Sequence, residues 1–266
     1  MIGVRAAVLL LFLACCTAST VRIFIHIPKT GGTTFRHIFA QDCERTWTFF
    51  ADSPGTVHDL SFVMNLLNQK NYTCFQGHMS WDLVDVLSQH LSDHEVVTFV
   101  LLRDPVARLI SQYHYEQAIF NRSYAPDDFF PRNANIITQY LGENAVSVIE
   151  KRVTYIGITE YYHETLSFLT AVGFFRNATN VINYNTRKVH RKPSNPELYE
   201  IASRCTEKDQ IIYETAIARF FENQMVPMET DAIYNRTLRE LNLRDHICVN
   251  DEQGIGSGRC WQKINE

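Results

Sequence analysis

The sequence predicts an α/β fold in which helices cover both faces of a mostly parallel β-sheet. Three observations indicate this class. Residues 21–27 and 95–102 are short β-branched and aromatic runs of the kind that form buried strands. Apolar residues at helical spacing follow each run, and this alternation favours parallel pairing. The chain of 266 residues, 45% of them hydrophobic, can bury a sizeable core in one domain.

The predicted elements continue this alternation. The helix after the first strand begins near Thr33, because Phe35, Ile38 and Phe39 recur at helical spacing. Residues 43–55 are aromatic and rich in turn residues. Further helices are predicted at 58–69, 81–91, 133–151 with a break near Gly142, 159–172, 207–226 and 228–241. Further strands are predicted at 71–76, 155–158 and 180–184.

Two of these helices have clear apolar faces. After the strand at 95–102, Asp104 suits an N-cap and Pro105 the first helical position. The buried stripe of that helix is predicted at Val106, Leu109, Ile110 and Tyr113. In the helix at 207–226, the residues predicted to face inward are Ile211, Ile212, Ala216, Phe220 and Phe221.

The N-terminal residues 1–18 have the features of a targeting segment. Arg5 precedes an apolar run, and Cys16-Thr17-Ala18 offers a cleavage site of small residues. The run is shorter than the roughly 20 residues that span a bilayer. A cleaved signal peptide is the simpler interpretation, and a short membrane anchor is the alternative. Residues 19–266 would then form one domain in the secretory pathway. Four glycosylation sequons agree with this route, at Asn71, Asn121, Asn177 and Asn235.

Charge and cysteine content limit the partners. The net charge of −4 gives no global basic field, so a nucleic-acid partner is not expected and any polyanion must meet a local patch. The chain has no Cys-x-x-Cys motif, so no zinc site is expected. Cys248 and Cys260 are candidates for a disulfide, whereas the pairing of Cys43, Cys74 and Cys205 stays open. The cysteines beyond residue 18 are odd in number, so at least one thiol stays free or pairs between chains.

The segment Pro28-Lys29-Thr30-Gly31-Gly32-Thr33-Thr34 joins the first strand to the first helix. Glycines allow close backbone approach, and a helix N-terminus presents unpaired N–H groups and a positive dipole end. Lys29 adds a cation, and the threonines add hydroxyl donors. The segment therefore predicts a phosphate or sulfonate site. It is not a Walker loop, because Lys29 precedes the glycines.

Two more polar residues follow predicted strands. His78 comes after the strand candidate at 71–76, and Arg103 follows the strand at 95–102. In an open parallel sheet, ligands bind beyond the carboxyl ends of the strands. Ser111, two turns into the helix after Arg103, could face the same crevice. An arginine fork and a hydroxyl suit a second phosphate. The alternative is that Arg103 pairs with Asp104 or caps a helix.

Taken together, the lysine–glycine loop, the Arg103-Asp104-Pro105 turn and the helix with Ser111 resemble the sulfotransferases that use 3′-phosphoadenosine 5′-phosphosulfate (PAPS). This resemblance implies a P-loop-like sulfotransferase fold and PAPS as co-substrate, with no metal. It implies that the 3′-phosphate is held by Arg103 and Ser111. The residues implied for the 5′-phosphosulfate are Lys29, Thr30, Gly31, Gly32, Thr33 and Thr34.

Three weaker segments are similar to the Golgi heparan sulfate 2-O- and 6-O-sulfotransferases. Residues 77–81 look like the segment that contains their catalytic histidine, here His78, and residues 155–160 look like the later Val/Ile-Gly-Thr-Glu stretch of those enzymes. Their basic loop over the nucleotide corresponds to Arg187, Lys188, Arg191 and Lys192. The resemblance implies a polysaccharide acceptor, with a glycosaminoglycan such as heparan sulfate expected. It places the protein in the Golgi lumen or membrane, with secretion as the alternative.

The resulting hypothesis is in-line sulfonate transfer. His78, neutral near pH 7, takes the proton of a sugar hydroxyl, and Lys29 stabilises the leaving phosphate. His114 is the second candidate base, and His26 is a candidate contact for acceptor or sulfate. The rival hypotheses are a catalytically silent glycan-binding protein on the same fold and a nucleotide-dependent kinase.

Overall fold

The structure, a computed structural model, describes residues 20–49, 61, 65, 72–91, 93–121, 123–175 and 195–224. Its described part contains one five-stranded sheet of order β2-β3-β1-β4-β5, in which all neighbouring strands are parallel. The strands are β1 Thr20–Ile25, β2 Thr46–Phe49, β3 Cys74–Gly77, β4 Glu95–Leu102 and β5 Tyr155–Ile158. The predicted α/β class with a parallel sheet is therefore confirmed.

Nine α-helices are described around this sheet. They are α1 Gly32–Asp42, α2 Trp81–His90, α3 Pro105–Phe120, α4 Pro126–Asn133, α5 Ile136–Leu141, α6 Ala145–Lys151, α7 Tyr162–Ala171, α8 Pro196–Cys205 and α9 Glu207–Arg219. A 3-10 turn at Thr159–Tyr161 leads into α7, and a π-helical turn at Phe220–Gln224 follows α9. Within the described ranges, no helix has both the length and the apolar character needed to cross a membrane.

Side chains of alternate strand residues fill two apolar layers, because the side-chain period of a strand is two. Ile23 and Ile25 of β1 pack on one face with residues of α2, α5, α6 and α9. Phe24 packs on the other face with α1 and α7, where Phe35 lies 4.4 Å from Phe99 between ring centroids. A third apolar cluster joins α3, α4 and α8. Helices thus cover both faces of the sheet, as predicted.

The helix after β4 follows its local sequence closely. Asp104 Oδ1 accepts a hydrogen bond from the backbone N–H of Ala107 at 2.7 Å, and Pro105 is the first helical residue. The predicted N-cap is confirmed. The predicted stripe is also confirmed, because each of its four residues is 7% exposed or less.

Some predictions need correction. Ile211 is 59% exposed rather than inward, because the buried face of α9 is made by Asp209, Ile212, Tyr213 and Ala216. The turn-rich stretch 43–55 contains edge strand β2, which the sequence analysis did not predict. The helix expected over 133–151 begins later than predicted, because α4 ends at Asn133 and α5 starts at Ile136, whereas its predicted break near Gly142 is confirmed, since α5 and α6 flank that residue.

Other predictions fall outside the described residues. These are the targeting segment 1–18, the strand at 180–184, the helix at 228–241, the basic residues Arg187, Lys188, Arg191 and Lys192, the pair Cys248 and Cys260, and the sequons at Asn71, Asn177 and Asn235. In the predicted helix at 58–69, Ser61 and Asn65 are described and helical. Asn121 is exposed at the end of α3, so its glycosylation stays a prediction.

A disulfide links Cys43, just after α1, to Cys74 at the start of β3. Arg22 lies beside it, with its guanidinium 2.6 Å from Asp42 Oδ2 and hydrogen-bonded to the carbonyl oxygen of Phe174. The disulfide links the unit of β1 and α1 to β3, the strand beside β1 in the sheet. Cys205 is half-buried and forms no disulfide with another described cysteine.

Candidate active site

The three marked residues lie at neighbouring strand ends. Lys29 follows β1, His78 follows β3 and Arg103 follows β4, and β1 lies between the other two strands. The register pairs Ile25 with both Gly77 and Val100, so these three strands end at one edge. The chain leaves β1 toward β2 and leaves β4 toward β5, which makes the β1–β4 border a topological switch point.

The loop between β1 and α1 has the backbone geometry of an anion site. Lys29 has φ 69° and Gly31 has φ 82°, both in the left-handed region. A positive φ is uncommon for a lysine, and non-glycine residues with such a φ cluster at functional sites. Gly31 is the N-cap of α1 and contributes no capping side chain, and the first turn holds no acidic residue. The N-terminal dipole of α1 therefore favours an anion.

The threonines of the loop differ in what they do. Thr30 is fully buried, and its hydroxyl donates to the carbonyl oxygen of Ile27 at 2.9 Å. This hydroxyl closes the loop on itself, which differs from the outward donor that the sequence suggested. Thr33 is exposed and Thr34 is half-buried on the first turn of α1. Their contact with a phosphosulfate stays a prediction.

Thr159 fixes the loop from the far side. Its hydroxyl oxygen lies 2.5 Å from the carbonyl oxygen of Thr30 and 2.8 Å from that of Leu102, at the end of β4. The single hydroxyl proton can serve either carbonyl. Thr159 therefore joins the ends of β1 and β4 at the switch point.

His78 is oriented by the backbone of β1. Its Nδ1 lies 2.8 Å from the carbonyl oxygen of His26. Because a carbonyl oxygen only accepts, Nδ1 must be the protonated nitrogen of this contact. In the neutral ring, Nε2 then holds the lone pair, which is the form that a general base requires. The ring of Tyr140 meets His78 edge-on at 6.3 Å between centroids.

Lys29 is held by two neighbours. Its Nζ lies 3.7 Å from the ring centre of Tyr115 on α3, and its carbonyl oxygen accepts from Arg103 at 3.1 Å. Partial burial lowers the pKa of Lys29, and the charge of Arg103 lowers it further. Two cations thus lie close together at the loop, and an anion between them would relieve their repulsion.

Hydrogen bonds to Glu160 support the turn that carries Arg103. Besides the Lys29 contact, the Nε of Arg103 is buried and has no hydrogen-bond partner in the described part of the chain. The backbone N–H of Asp104 donates to Glu160 at 3.2 Å, and the Tyr213 hydroxyl donates to the same carboxylate at 2.9 Å. Burial raises the pKa of Glu160. Glu160 thus fixes the turn that positions Arg103.

Arg108 brings another cation close to this turn. Its side chain is 1% exposed and donates to the carbonyl oxygen of Asn133 at 2.7 Å. Burial lowers its pKa to about 10, and the positive charge of Arg103 acts in the same direction. Ser111 lies half-buried one turn further along α3, and its contact with a phosphate stays a prediction.

The structure brings Lys29, Gly31, Gly32, His78 and Arg103 to one edge, as predicted. Sequence reasoning singled out the segment 155–160 by resemblance but gave Thr159 and Glu160 no positioning role. It missed Tyr213 and Arg108. His114, the second candidate base, is exposed on α3. Across the described ranges, no group of three or more His, Cys, Asp or Glu residues could hold a metal ion.

These features define a parallel α/β protein in which a helix N-terminus suited to an anion lies near a histidine whose Nδ1 is bonded to the backbone. The chain belongs to the sulfotransferase family, whose family model matches residues 18–242. Among solved structures, the chain is similar to a sulfotransferase from Alicyclobacillus acidocaldarius, with 13% identity and a TM-score of 0.44 over 76% of this chain and 97% of that one. The search of curated proteins found no match.

Proposed function

We propose that this chain transfers a sulfonate group from PAPS to a hydroxyl of a polysaccharide, with a glycosaminoglycan such as heparan sulfate as the expected acceptor. The observation that carries the proposal is the placement of His78 beside the lysine–glycine loop, with Nδ1 bonded to the His26 carbonyl. This contact directs the basic nitrogen of a general acid–base residue away from the strand end.

The residues present fit a donor with two anionic ends. The positive φ values of Lys29 and Gly31 and the uncapped start of α1 suit the phosphosulfate end. The Nε of Arg103, which is buried and has no hydrogen-bond partner among the described residues, suits a phosphate. PAPS, when bound, supplies the sulfonate group on a phosphate leaving group. The described cations would compensate its charge.

The chain's own residues then divide the work. His78 Nε2 accepts the proton of the acceptor hydroxyl, and the Nδ1–H bond to His26 keeps that nitrogen in the basic tautomer. Lys29 and the N-terminus of α1 stabilise negative charge at the leaving oxygen. Thr159 and Glu160 hold the two loops at fixed positions. No covalent enzyme intermediate is needed.

The proposed acceptor and compartment rest on separate observations. The glycosaminoglycan acceptor rests on the resemblance of residues 77–81 and 155–160 to the heparan sulfate enzymes. The Cys43–Cys74 disulfide supports an oxidising compartment, in agreement with the predicted targeting segment and the exposed sequon at Asn121. We therefore place the protein in the secretory pathway, in the Golgi lumen or membrane.

The test measures transfer of labelled sulfonate from PAPS by the chain from Ser19 onward. Desulfated heparan, chondroitin and dermatan chains serve as acceptors. We expect transfer to one polymer, and we expect His78→Ala to lower turnover by roughly 10²- to 10⁴-fold. Binding of 3′-phosphoadenosine 5′-phosphate, measured by calorimetry, should persist in that variant. His114→Ala is the matched control and should retain turnover, because His114 is exposed on α3.

Each rival predicts a different result. Nucleotide and heparin binding without transfer to any polymer would support the silent glycan-binding protein. Stabilisation of the protein by ATP with magnesium, rather than by 3′-phosphoadenosine 5′-phosphate, would support the kinase. Full activity of His78→Ala would remove His78 from the mechanism.

A further inference from the structure

His26 lies between the proposed base and the anion loop. Its side chain is 5% exposed. Its ring stacks on that of His78, with centroids 4.6 Å apart and planes at 23°, and on that of Phe24 at 5.7 Å. The ring is therefore enclosed in a stack that ends at His78, and so little of it is exposed that a polysaccharide has scant access to it.

The other edge of the His26 ring contacts the first residue of α1. A Cβ placed on Gly32 would lie 2.1 Å from Cδ2 and 2.3 Å from Nε2 of His26. Gly32 is helical and has no positive φ, so its backbone alone would accept a side chain. The His26 ring is what excludes one. The ring thus spans from the base to the helix N-terminus that forms the anion site.

The backbone of His26 contacts the same strand end. Its N–H donates to the carbonyl oxygen of Gly77 at 2.8 Å, and its carbonyl oxygen accepts from His78 Nδ1 at 2.8 Å. One residue therefore touches the base through its ring and its carbonyl, and the loop through its ring edge.

The ring acts through its shape rather than through charge. Burial lowers the pKa of His26 to about 3, and the neighbouring His78 and Arg36 act in the same direction. The ring is therefore neutral near pH 7. Its Nδ1 is buried and has no hydrogen-bond partner in the described part of the chain.

We infer that His26 is a positioning residue. Its flat neutral ring sets the spacing between His78 and the loop at Gly32, and by stacking it holds the His78 ring where Nδ1 reaches the His26 carbonyl oxygen. The inference rests on the proposed function for the identity of the base. It gives His26 a role different from the contact with acceptor or sulfate that the sequence suggested.

The experiment is a double-mutant cycle of His26→Ala and Gly32→Ala with two readouts. The first is the ring ¹⁵N spectrum of His78, which reports its tautomer without turnover. The second is the kinetics of sulfonate transfer. Gly157→Ala is the matched control, because a Cβ there also collides with buried neighbours, at 2.5 Å from Thr165, but two strands away from β1.

We expect His26→Ala to turn the His78 spectrum into that of mixed tautomers. It should lower kcat by roughly 10- to 100-fold, with KM for PAPS changed less than about threefold, because the base is misplaced while donor contacts remain. Gly32→Ala should lower kcat similarly in the wild type, yet by less than about threefold in the His26→Ala background, where the space is open. Gly157→Ala should have the same effect in both backgrounds, within about twofold.

Two results would overturn the inference: a His78 spectrum unchanged by His26→Ala, or a cycle of His26 with Gly32 that is as additive as the control cycle. If His26→Ala does not fold, His26→Leu tests the same point, because it fills the volume without a flat ring. Changed tautomers in a chain that sulfates no polymer would leave the inference standing and reject the proposed function. An active His26→Ala variant with wild-type kinetics would reject the inference and leave the proposed function standing.

Discussion

His26 should make the stability of the fold depend on pH. Burial, then the charges of His78 and Arg36, lower its pKa from 6.5 to about 3. Below pH 6.5 the unfolded chain protonates this residue, whereas the folded protein does not until about pH 3. The unfolded state binds more protons in that window, so stability falls as pH falls. At about pH 5, about 1.5 units below the unfolded pKa, the loss is about 2 kcal/mol.

The measurement is the free energy of unfolding in urea at about pH 7.5 and about pH 5 for the wild type and His26→Leu. Buried Asp104, Glu160 and Asp209 have raised pKa values and shift stability in the opposite direction. The difference between variant and wild type cancels their contribution. We expect that difference to move by about 2 kcal/mol in favour of the variant on acidification. His163→Leu, at an exposed position, is the control. An equal difference at both pH values would refute the reasoning.

Three further changes test the site and its frame. Lys29→Ala should lower sulfonate transfer by roughly 10²-fold or more, because it removes charge stabilisation at the leaving oxygen; wild-type rates would discard that role. Thr159→Val should lower the free energy of unfolding by about 1–3 kcal/mol, since it removes the buried hydroxyl donor that the carbonyls of Thr30 and Leu102 share, whereas Thr215→Val, at a partly exposed position on α9, should change it little. Replacing Cys43 and Cys74 by Ala should cost about 3–4 kcal/mol for a separation of 31 residues, measured by urea unfolding. An unchanged midpoint would contradict this.

The parts of the site that sequence predicted are local. A strand run, a glycine turn and a helical period follow one another between residues 21 and 39, and a strand run, a capping turn and a helical period do so between residues 95 and 113. Because parallel strands end at one edge, local predictions were enough to bring Lys29, His78 and Arg103 together. No long-range contact had to be known.

The parts that sequence did not predict depend on contacts between distant residues. Glu160 meets Tyr213 and the Asp104 backbone across 53 and 56 positions of sequence. Asp209 shows the same effect on a helix face. It accepts from the backbone N–H of Ile137 at 2.9 Å and caps α5, so this polar residue faces inward. The buried face of α9 is therefore centred on Asp209 and Ile212. Ile211, one position before Ile212, is apolar but faces solvent. Hydrophobicity alone could not show this.

The support that Glu160 gives to the Arg103 turn has a consequence for the synthesis of the protein. The Lys29 loop and the Arg103 turn are complete in the nascent chain once α3 has been made, but Tyr213, which holds Glu160, lies about a hundred residues further on. At roughly 5–20 residues per second, translation needs on the order of ten seconds to reach it. During that interval the nascent chain has the Lys29 loop and the Arg103 turn without the support of Glu160 and Tyr213. Donor binding should therefore mature only after α9 has emerged from the ribosome.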